Sequence, residues 1–432
     1  MLDRCFDFAL SFPSSIVSQI LGQFSPPSDA LILDPFCGTG TTLVECKRKG
    51  FNSIGIDANP VCTLAARVKT RWQFKEANVE QELRRIITRA RDEYRRFEAS
   101  RQAAKRHDRY LHPTKWKTFA EAKQGQFLIT SGLIKRGWIS PRPALKCLLL
   151  IRGIESCPEK PTKELLLVSL LGLLVPEFSN VKYGPEIYCS QKQLDVDVFT
   201  AYKNRVTSLL ASIESHRAAH SPTTCKIILG NCINGGLSRL QPESVSHVIT
   251  SPPYPAEHDY TRMTRLELAF GGFIGGQEDL QNIKRSMVPC SSKSSYADQK
   301  YYDHVKSFSY VKNIRKRILS ASKDKEHGFA RVYPRLVGDY FGAMFLHFRA
   351  LKPFLKPGAQ CAYIVGDQSS FFGIHIRTAI ILQQMLESEE LGFEVTGSEV
   401  FRNRHGTSGN GKRRIPETIL YFTKPSQSGR CR

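Results

Sequence analysis

Although twelve cysteines are scattered through the 432 residues, none stands in a C-x-x-C pair, and the nearest two, Cys225 and Cys232, are seven apart. That spacing suggests neither a zinc ribbon nor a secreted disulfide framework, so no metal is expected, and a reducing, cytoplasmic setting is the natural one. Long apolar runs are missing too. The longest, Leu165 to Val175, is too short for a membrane span and reads as a core helix. The opening residues show no signal-peptide pattern, and no internal repeat or extended low-complexity tract stands out. Acidic residues are scarce: 40 Asp and Glu face 62 Lys and Arg, giving a net charge of +22 and a pI near 9.6. This excess fits an anionic macromolecular partner such as a phosphate backbone, and it also serves solubility. The length suits one large domain or two modest ones.

What is present centres on two segments. Asp34-Pro35-Phe36-Cys37-Gly38-Thr39-Gly40-Thr41 follows the apolar run Ala30–Leu33 and opens into a helix-like stretch. Thr250-Ser251-Pro252-Pro253-Tyr254 follows a second apolar run, Val245–Ile249. Each reads as a loop at the carboxyl end of a buried strand, where open α/β sheets bind ligands. Gly38 and Gly40 permit positive φ and close approach of a ligand to the backbone. Their spacing is not the dinucleotide G-x-G-x-x-G, and the lysine of a phosphate-binding loop is absent. An uncharged or zwitterionic adenosyl ligand therefore suits this turn better than a triphosphate. Ser53–Asp57 reads as a second strand ending in a carboxylate suited to ribose hydroxyls.

In order, Asp34–Thr41, Asp57 and Ser251–Tyr254 resemble motifs I, II and IV of the S-adenosylmethionine-dependent DNA amino-methyltransferases, and Phe8–Val17 looks like their motif X. The resemblance is good over the first 70 residues or so and over 225–270, and looser over 338–424. It implies an α/β, Rossmann-like class I methyltransferase fold: a seven-stranded, mostly parallel sheet with helices on both faces. S-adenosylmethionine would be held by Phe12, Pro13, Asp34, Pro35, Phe36, Gly38, Gly40, Thr41, Asp57 and Asn231, with Gly230-Asn231 standing where relatives usually carry Gly-Asp near the adenine amine. Ser251, Pro252, Pro253 and Tyr254 would form the catalytic loop. An exocyclic ring amine is a poor nucleophile, because its lone pair is delocalised into the ring. Hydrogen bonds from it to Ser251 Oγ and the Pro252 carbonyl would draw that lone pair towards the methyl group. Two prolines hold such acceptors in place beforehand, and Tyr254 offers a face on which a flipped base stacks. No covalent intermediate is needed, so Cys37 reads as a packing residue. Serine at the first position resembles N4-cytosine enzymes more than N6-adenine enzymes. The expected substrate is double-stranded DNA, with a separately encoded restriction endonuclease as a plausible companion. An N6-adenine enzyme, an RNA amino-methyltransferase and a silent nucleic-acid-binding protein are the alternatives.

Strands are expected at Leu31–Asp34, Ser53–Asp57, Lys226–Asn231, Val245–Thr250, Gln360–Asp367, Glu394–Phe401 and Pro416–Phe422. The catalytic domain is read as 1–70, 223–270 and 336–425, interrupted by a helical insertion over 71–222 and a basic, aromatic one over 271–335, with a tail over 426–432. Residues 67–117 hold 16 Lys and Arg against 7 Asp and Glu, while Val79, Leu83, Ile86, Ala90, Tyr94 and Phe97 recur at helical spacing. The basic face is either solvated or a DNA contact. Proline and glycine at 113, 125, 132, 137, 141 and 143 suggest loop-rich structure, followed by helices near 161–175 and 196–218. In the second insertion, Lys300-Tyr301-Tyr302 and Lys312, Arg315, Lys316 and Arg317 are the candidate DNA contacts, with Tyr310, Ile314 and Ile318 as possible helix packing. The Gly-, Lys- and Arg-rich stretch Arg402–Arg414 is either a phosphate contact or an exposed hairpin.

Overall fold

The computed structural model describes residues 6, 12–103, 121–184, 187–219, 223–233, 235–255, 259–323, 331–369, 371–405 and 414–426. The chain divides into two compact units. One contains the sheet and comprises Phe12–Asn59, Ser221–Tyr260 and Ile283–Arg432; the other comprises Met1–Ser11, Pro60–His220 and Thr261–Asn282. The segment 271–335, read from sequence as one insertion, is thus shared between them.

Seven strands build the sheet: β1 (Leu31–Asp34), β2 (Asn52–Asp57), β3 (Cys225–Leu229), β4 (Val245–Thr250), β5 (Leu355–Gly366), β6 (Glu394–His405) and β7 (Arg414–Thr423). Their order is β3-β2-β1-β4-β5-β7-β6, with the first five parallel and β7 antiparallel to both neighbours. This is the α/β, mostly parallel seven-stranded sheet expected from sequence. Strand periodicity explains why both faces are covered. Leu33, Val248, Cys361, Tyr363, Val365, Leu420 and Phe422 point into one core with the helices Ser309–Ser322, Tyr333–Leu351 and Thr378–Leu386. Their alternates Ile32, Ile249, Ala362, Ile364 and Ile419 point into the other, against Val17, Ile20 and Leu21 of the helix Ser14–Phe24 and Cys46 of the helix Thr41–Arg48.

Helix Tyr333–Leu351 draws the 3-10 turn Tyr301–His304 onto this core through two glycines. A Cβ on Gly342 would collide with the Tyr301 carbonyl, and one on Gly338 would come within 2.8 Å of Tyr302 and 2.9 Å of Arg315. Tyr301 is buried, so it is packed inside rather than offered to bases, and Tyr302 is half-buried with Arg315 stacked 3.4 Å over its ring.

In the other unit, the helix Glu76–Ala103 buries Val79, Leu83, Ile86 and Ala90, as the spacing predicts, while Tyr94 and Phe97 are half-buried. Its arginines are largely matched by acids: Arg84 by Glu80, Arg85 by Glu82, Arg89 by Glu93 and Arg95 by Asp92. The loop-rich reading of the next stretch needs correction. Gly125 lies within the helix Lys123–Thr130, and Pro141 and Pro143 open the helix Pro141–Glu155. Proline is accommodated in a first turn, where its missing N–H has no partner to lose. The helices expected near 161–175 and 196–218 appear as Lys160–Leu173 and Val198–Ala219. Among the described residues, no helix is long and apolar enough to cross a membrane.

Candidate active site

At the carboxyl end of β1 the chain must turn sharply into the helix Thr41–Arg48, and two positive-φ glycines make that turn possible: Gly38 at +49° and Gly40 at +89°. Cys37 N–H donates to the Ile56 carbonyl at 2.9 Å, and Gly40 N–H to the Cys37 carbonyl at 2.8 Å, so the loop is pinned to β2 and to itself. Gly55 permits this approach. A Cβ there would overlap Leu43 and stand 2.9 Å from Cys37 Sγ. The sequence reading took Ser53–Asp57 only as a strand and missed this requirement, although a glycine inside a strand signals close backbone approach. Nothing lies within 4 Å of where a Cβ on Gly38 would sit, which leaves that side of the loop open to a ligand.

Two carboxylates stand behind the loop. Asp34 is fully buried; its Oδ1 accepts from Phe36 N–H at 3.1 Å and from Thr250 Oγ1 at 2.6 Å, while its buried Oδ2 has no partner. Asp57 accepts from Gly38 N–H at 2.9 Å through Oδ2 and from Asn59 N–H at 2.7 Å through Oδ1. It therefore shapes the glycine loop directly, while each oxygen keeps a further lone pair for a ligand hydroxyl. Burial pushes both acids up to about 6, against the pull of these hydrogen bonds. A buried Asp34 with an unpartnered oxygen and a half-buried Asp57, beside an open glycine turn, suit a ligand bearing positive charge and N–H or O–H donors. S-adenosylmethionine, the cofactor expected from the sequence resemblance, has an ammonium, a sulfonium and ribose hydroxyls, and so fits the residues present.

Asn231 follows β3, at the same end of the sheet. Its Oδ1 accepts from Ile233 N–H at 2.6 Å and its carbonyl from Gly236 N–H at 2.9 Å. The side chain that sequence assigned to the adenine amine also folds its own loop.

The Ser-Pro-Pro-Tyr segment leaves β4 between β1 and β5. Thr250 is in register with Tyr363, which sets Ser251 Oγ 3.1 Å from the Ile364 carbonyl and 3.4 Å from Tyr254 Oη. A carbonyl can only accept, so the single serine proton is committed to Ile364 and the oxygen's lone pairs are left to accept from another donor. Pro252 is buried, whereas Pro253 and Tyr254 are half-buried.

Other expected residues are more dispersed. Pro35 is buried, Phe36 is half-buried and Thr41 begins the helix. Phe12 packs against the core around Val17 and Ile20, and Pro13 caps the helix Ser14–Phe24, while Phe8–Ser11 lie outside the described residues. On the helix Ser309–Ser322, Lys312, Lys316 and Arg317 are exposed. Arg315 instead donates to the Pro334 carbonyl at 2.8 Å beneath its contact with Tyr302. Ile314 and Ile318 pack and Tyr310 is exposed, so the packing alternative holds for the two isoleucines and not for the tyrosine. In the stretch Arg402–Arg414, Arg402 pairs with the buried Glu417, and 406–413 lie outside the described residues.

Residues 6–67 match a family model for N6 and N4 methyltransferases described as DNA methylase. Over 463 aligned residues the chain is 24% identical to the Type II methyltransferase M.BsoBI of Geobacillus stearothermophilus, covering 96% of this chain and 84% of that one. It is 23% identical to the Type II methyltransferase M.AvaI of a Nostoc species, covering 98% and 86% respectively. A 39-residue stretch is 59% identical to the Type II methyltransferase M.MjaII of Methanocaldococcus jannaschii.

Proposed function

Given that the chain belongs to the N6/N4 family of DNA amino-methyltransferases, we propose that it methylates the exocyclic N4 amine of cytosine at specific sites in double-stranded DNA, as the modification partner of a separately encoded restriction endonuclease. One observation carries the reading: the 2.6 Å bond between Thr250 and Asp34, which joins the cofactor-side carboxylate to the residue before Ser-Pro-Pro-Tyr.

S-adenosylmethionine supplies, when bound, a methyl group on a sulfonium that is open to nucleophilic attack. Asp34 and the Gly38–Gly40 turn would hold its methionine end, and Asp57 its ribose. The remaining work belongs to the chain itself. Ser251 Oγ, with its own proton turned to Ile364, accepts a hydrogen bond from the target amine, and the Pro252 carbonyl accepts the second. These two acceptors localise the amine lone pair and aim it away from the ring. Pro252 and Pro253 fix the loop before the base arrives, so little reorganisation accompanies reaction. Tyr254 stacks on the extruded base, a contact that contributes roughly 1–3 kcal/mol. Lys312, Lys316 and Arg317 are proposed to contact phosphates. The amine proton leaves to solvent after transfer.

Serine at the head of the loop supports cytosine over adenine. Incubating the protein with DNA and labelled cofactor, then identifying the modified nucleoside by mass spectrometry, tests the choice. N4-methylcytosine is expected; N6-methyladenine as sole product would replace the base while keeping the mechanism.

A further inference from the structure

His347, on the helix Tyr333–Leu351, is fully buried and belongs to none of the motifs above. Its ring reaches three segments that converge on the site. Nδ1 lies 3.2 Å from the Cys232 carbonyl oxygen, in the loop that begins at Asn231, and Nε2 lies 2.7 Å from Tyr363 Oη on β5. The Phe36 ring, from the β1 loop, meets the imidazole edge-on with centroids 4.8 Å apart. The protonation pattern follows from the partners. A carbonyl carries no hydrogen, so Nδ1 holds the proton. Burial depresses the ring's pKa to about 4, so the imidazole is neutral and Nε2 is bare. Tyr363 must then donate to it.

We propose that His347 is a positioning residue that sets the cofactor side of the site through Cys232 and the target-base side through Tyr363. The second arm is short: the next residue, Ile364, provides the carbonyl that takes the Ser251 proton and so orients its lone pairs. A shift of β5 at Tyr363 turns Ser251, and a shift of the Cys232 loop moves Asn231. The proposal rests on the amino-methyltransferase reading of the two loops.

Two near-isosteric variants separate the arms. The amide nitrogen of His347→Asn occupies the place of Nδ1 and keeps the donor to Cys232 while losing Tyr363. The longer His347→Gln reaches the place of Nε2 and does the reverse. Cofactor binding is read by calorimetry without DNA, and methyl transfer by single-turnover reaction with DNA. His347→Asn should hold cofactor Kd within about twofold yet slow transfer about tenfold, whereas His347→Gln should weaken cofactor binding about tenfold, each being the loss of one buried hydrogen bond. Tyr363→Phe removes only a hydroxyl and should behave like His347→Asn, which keeps the test intact if the histidine variants do not fold. Equal losses in both readouts for every variant, or unchanged transfer in Tyr363→Phe, would overturn the proposal. Failure of the unaltered protein to bind S-adenosylmethionine at all would overturn the underlying functional reading instead.

Discussion

Thr250 Oγ1 donates to Asp34 Oδ1 at 2.6 Å, a bond between residues 216 apart in sequence that lie on neighbouring parallel strands. It is buried, and it stabilises the ionised form of an acid that burial otherwise opposes. Thr250→Val removes the donor while keeping the shape. Loss of a hydrogen bond to a charged group costs about 1.5–3 kcal/mol, so S-adenosylmethionine should bind about tenfold more weakly or worse. Thr250→Ser should restore most of that affinity, as read by calorimetry.

Burial raises both Asp34 and Asp57 from 3.8 to about 6, which fixes the sign of the pH dependence. An acid whose folded pKa lies above its unfolded value favours the folded state while protonated. That contribution is present below about 3.8 and is lost as pH rises through about 6. For Asp34 it amounts to about 3 kcal/mol. A cationic ligand acts in the opposite direction, because it needs the ionised acids. Cofactor affinity should therefore fall as pH drops through about 6, and binding near pH 6 should release protons. Calorimetry in buffers of different ionisation heat measures that release, and its absence near pH 6 would contradict the assignment of these acids to the cofactor.

Strand signals were strong where the core is strong. Leu31–Asp34 and Val245–Thr250 are bounded as expected, β2 begins one residue earlier, and β5 begins five residues earlier and ends one earlier, because buried apolar runs ending in Asp or Ser leave little freedom in register. The prolines at 141 and 143 misled for a local reason: proline marks a helix start as readily as a loop, and the sequence does not say which. Arg315 was equally opaque. Its neighbours Lys312, Lys316 and Arg317 have the same charge and nearly the same spacing, and only the helix Tyr333–Leu351, with Gly338 beneath, makes Arg315 a packed residue. The hydrogen bond from Gly38 to Asp57 likewise depends on the two strands being adjacent, which no local pattern encodes.

Gly55 offers a stability test of that adjacency. Gly55→Ala places a methyl group against Leu43 and 2.9 Å from Cys37 Sγ, in a rigid part of the core. Overpacking of this kind costs roughly 1–3 kcal/mol and should lower the melting temperature. Because Cys37 begins the glycine turn, cofactor affinity should fall beyond what the stability loss explains. Denaturant titration and calorimetry on the same sample separate the two effects.

The exposed and packed cations of the helix Ser309–Ser322 should part company experimentally. Replacing Lys312, Lys316 and Arg317 with alanine should leave unfolding within about 0.5 kcal/mol of the parent, since exposed substitutions rarely do more. If each contacts one phosphate, the slope of log affinity for DNA against log salt should shrink by about 3. Arg315→Ala should do the opposite: it removes the stack on Tyr302 and the bond to Pro334, lowering stability with little change in salt slope. Fluorescence anisotropy at several salt concentrations makes the comparison.

The catalytic loop yields the sharpest separation between binding and chemistry. Ser251 Oγ is held by Ile364 so that its lone pairs can accept, and no atom of the Asp34–Gly40 turn depends on that hydroxyl. Ser251→Ala should therefore leave cofactor Kd unchanged while slowing transfer about 100-fold to 1000-fold, the usual consequence of removing one preorganised polar contact at a reacting centre. Tyr254→Phe keeps the ring and loses the hydroxyl that contacts Ser251, so a modest loss is expected. Tyr254→Ala also loses the stacking face and should cost a further roughly 1–3 kcal/mol in the extruded-base complex. The Ser251→Ala, Tyr254→Ala double variant should show no measurable transfer yet bind cofactor normally. Full activity in that double variant would remove the loop from the mechanism, because no acceptor side chain and no stacking ring would remain to act on the amine.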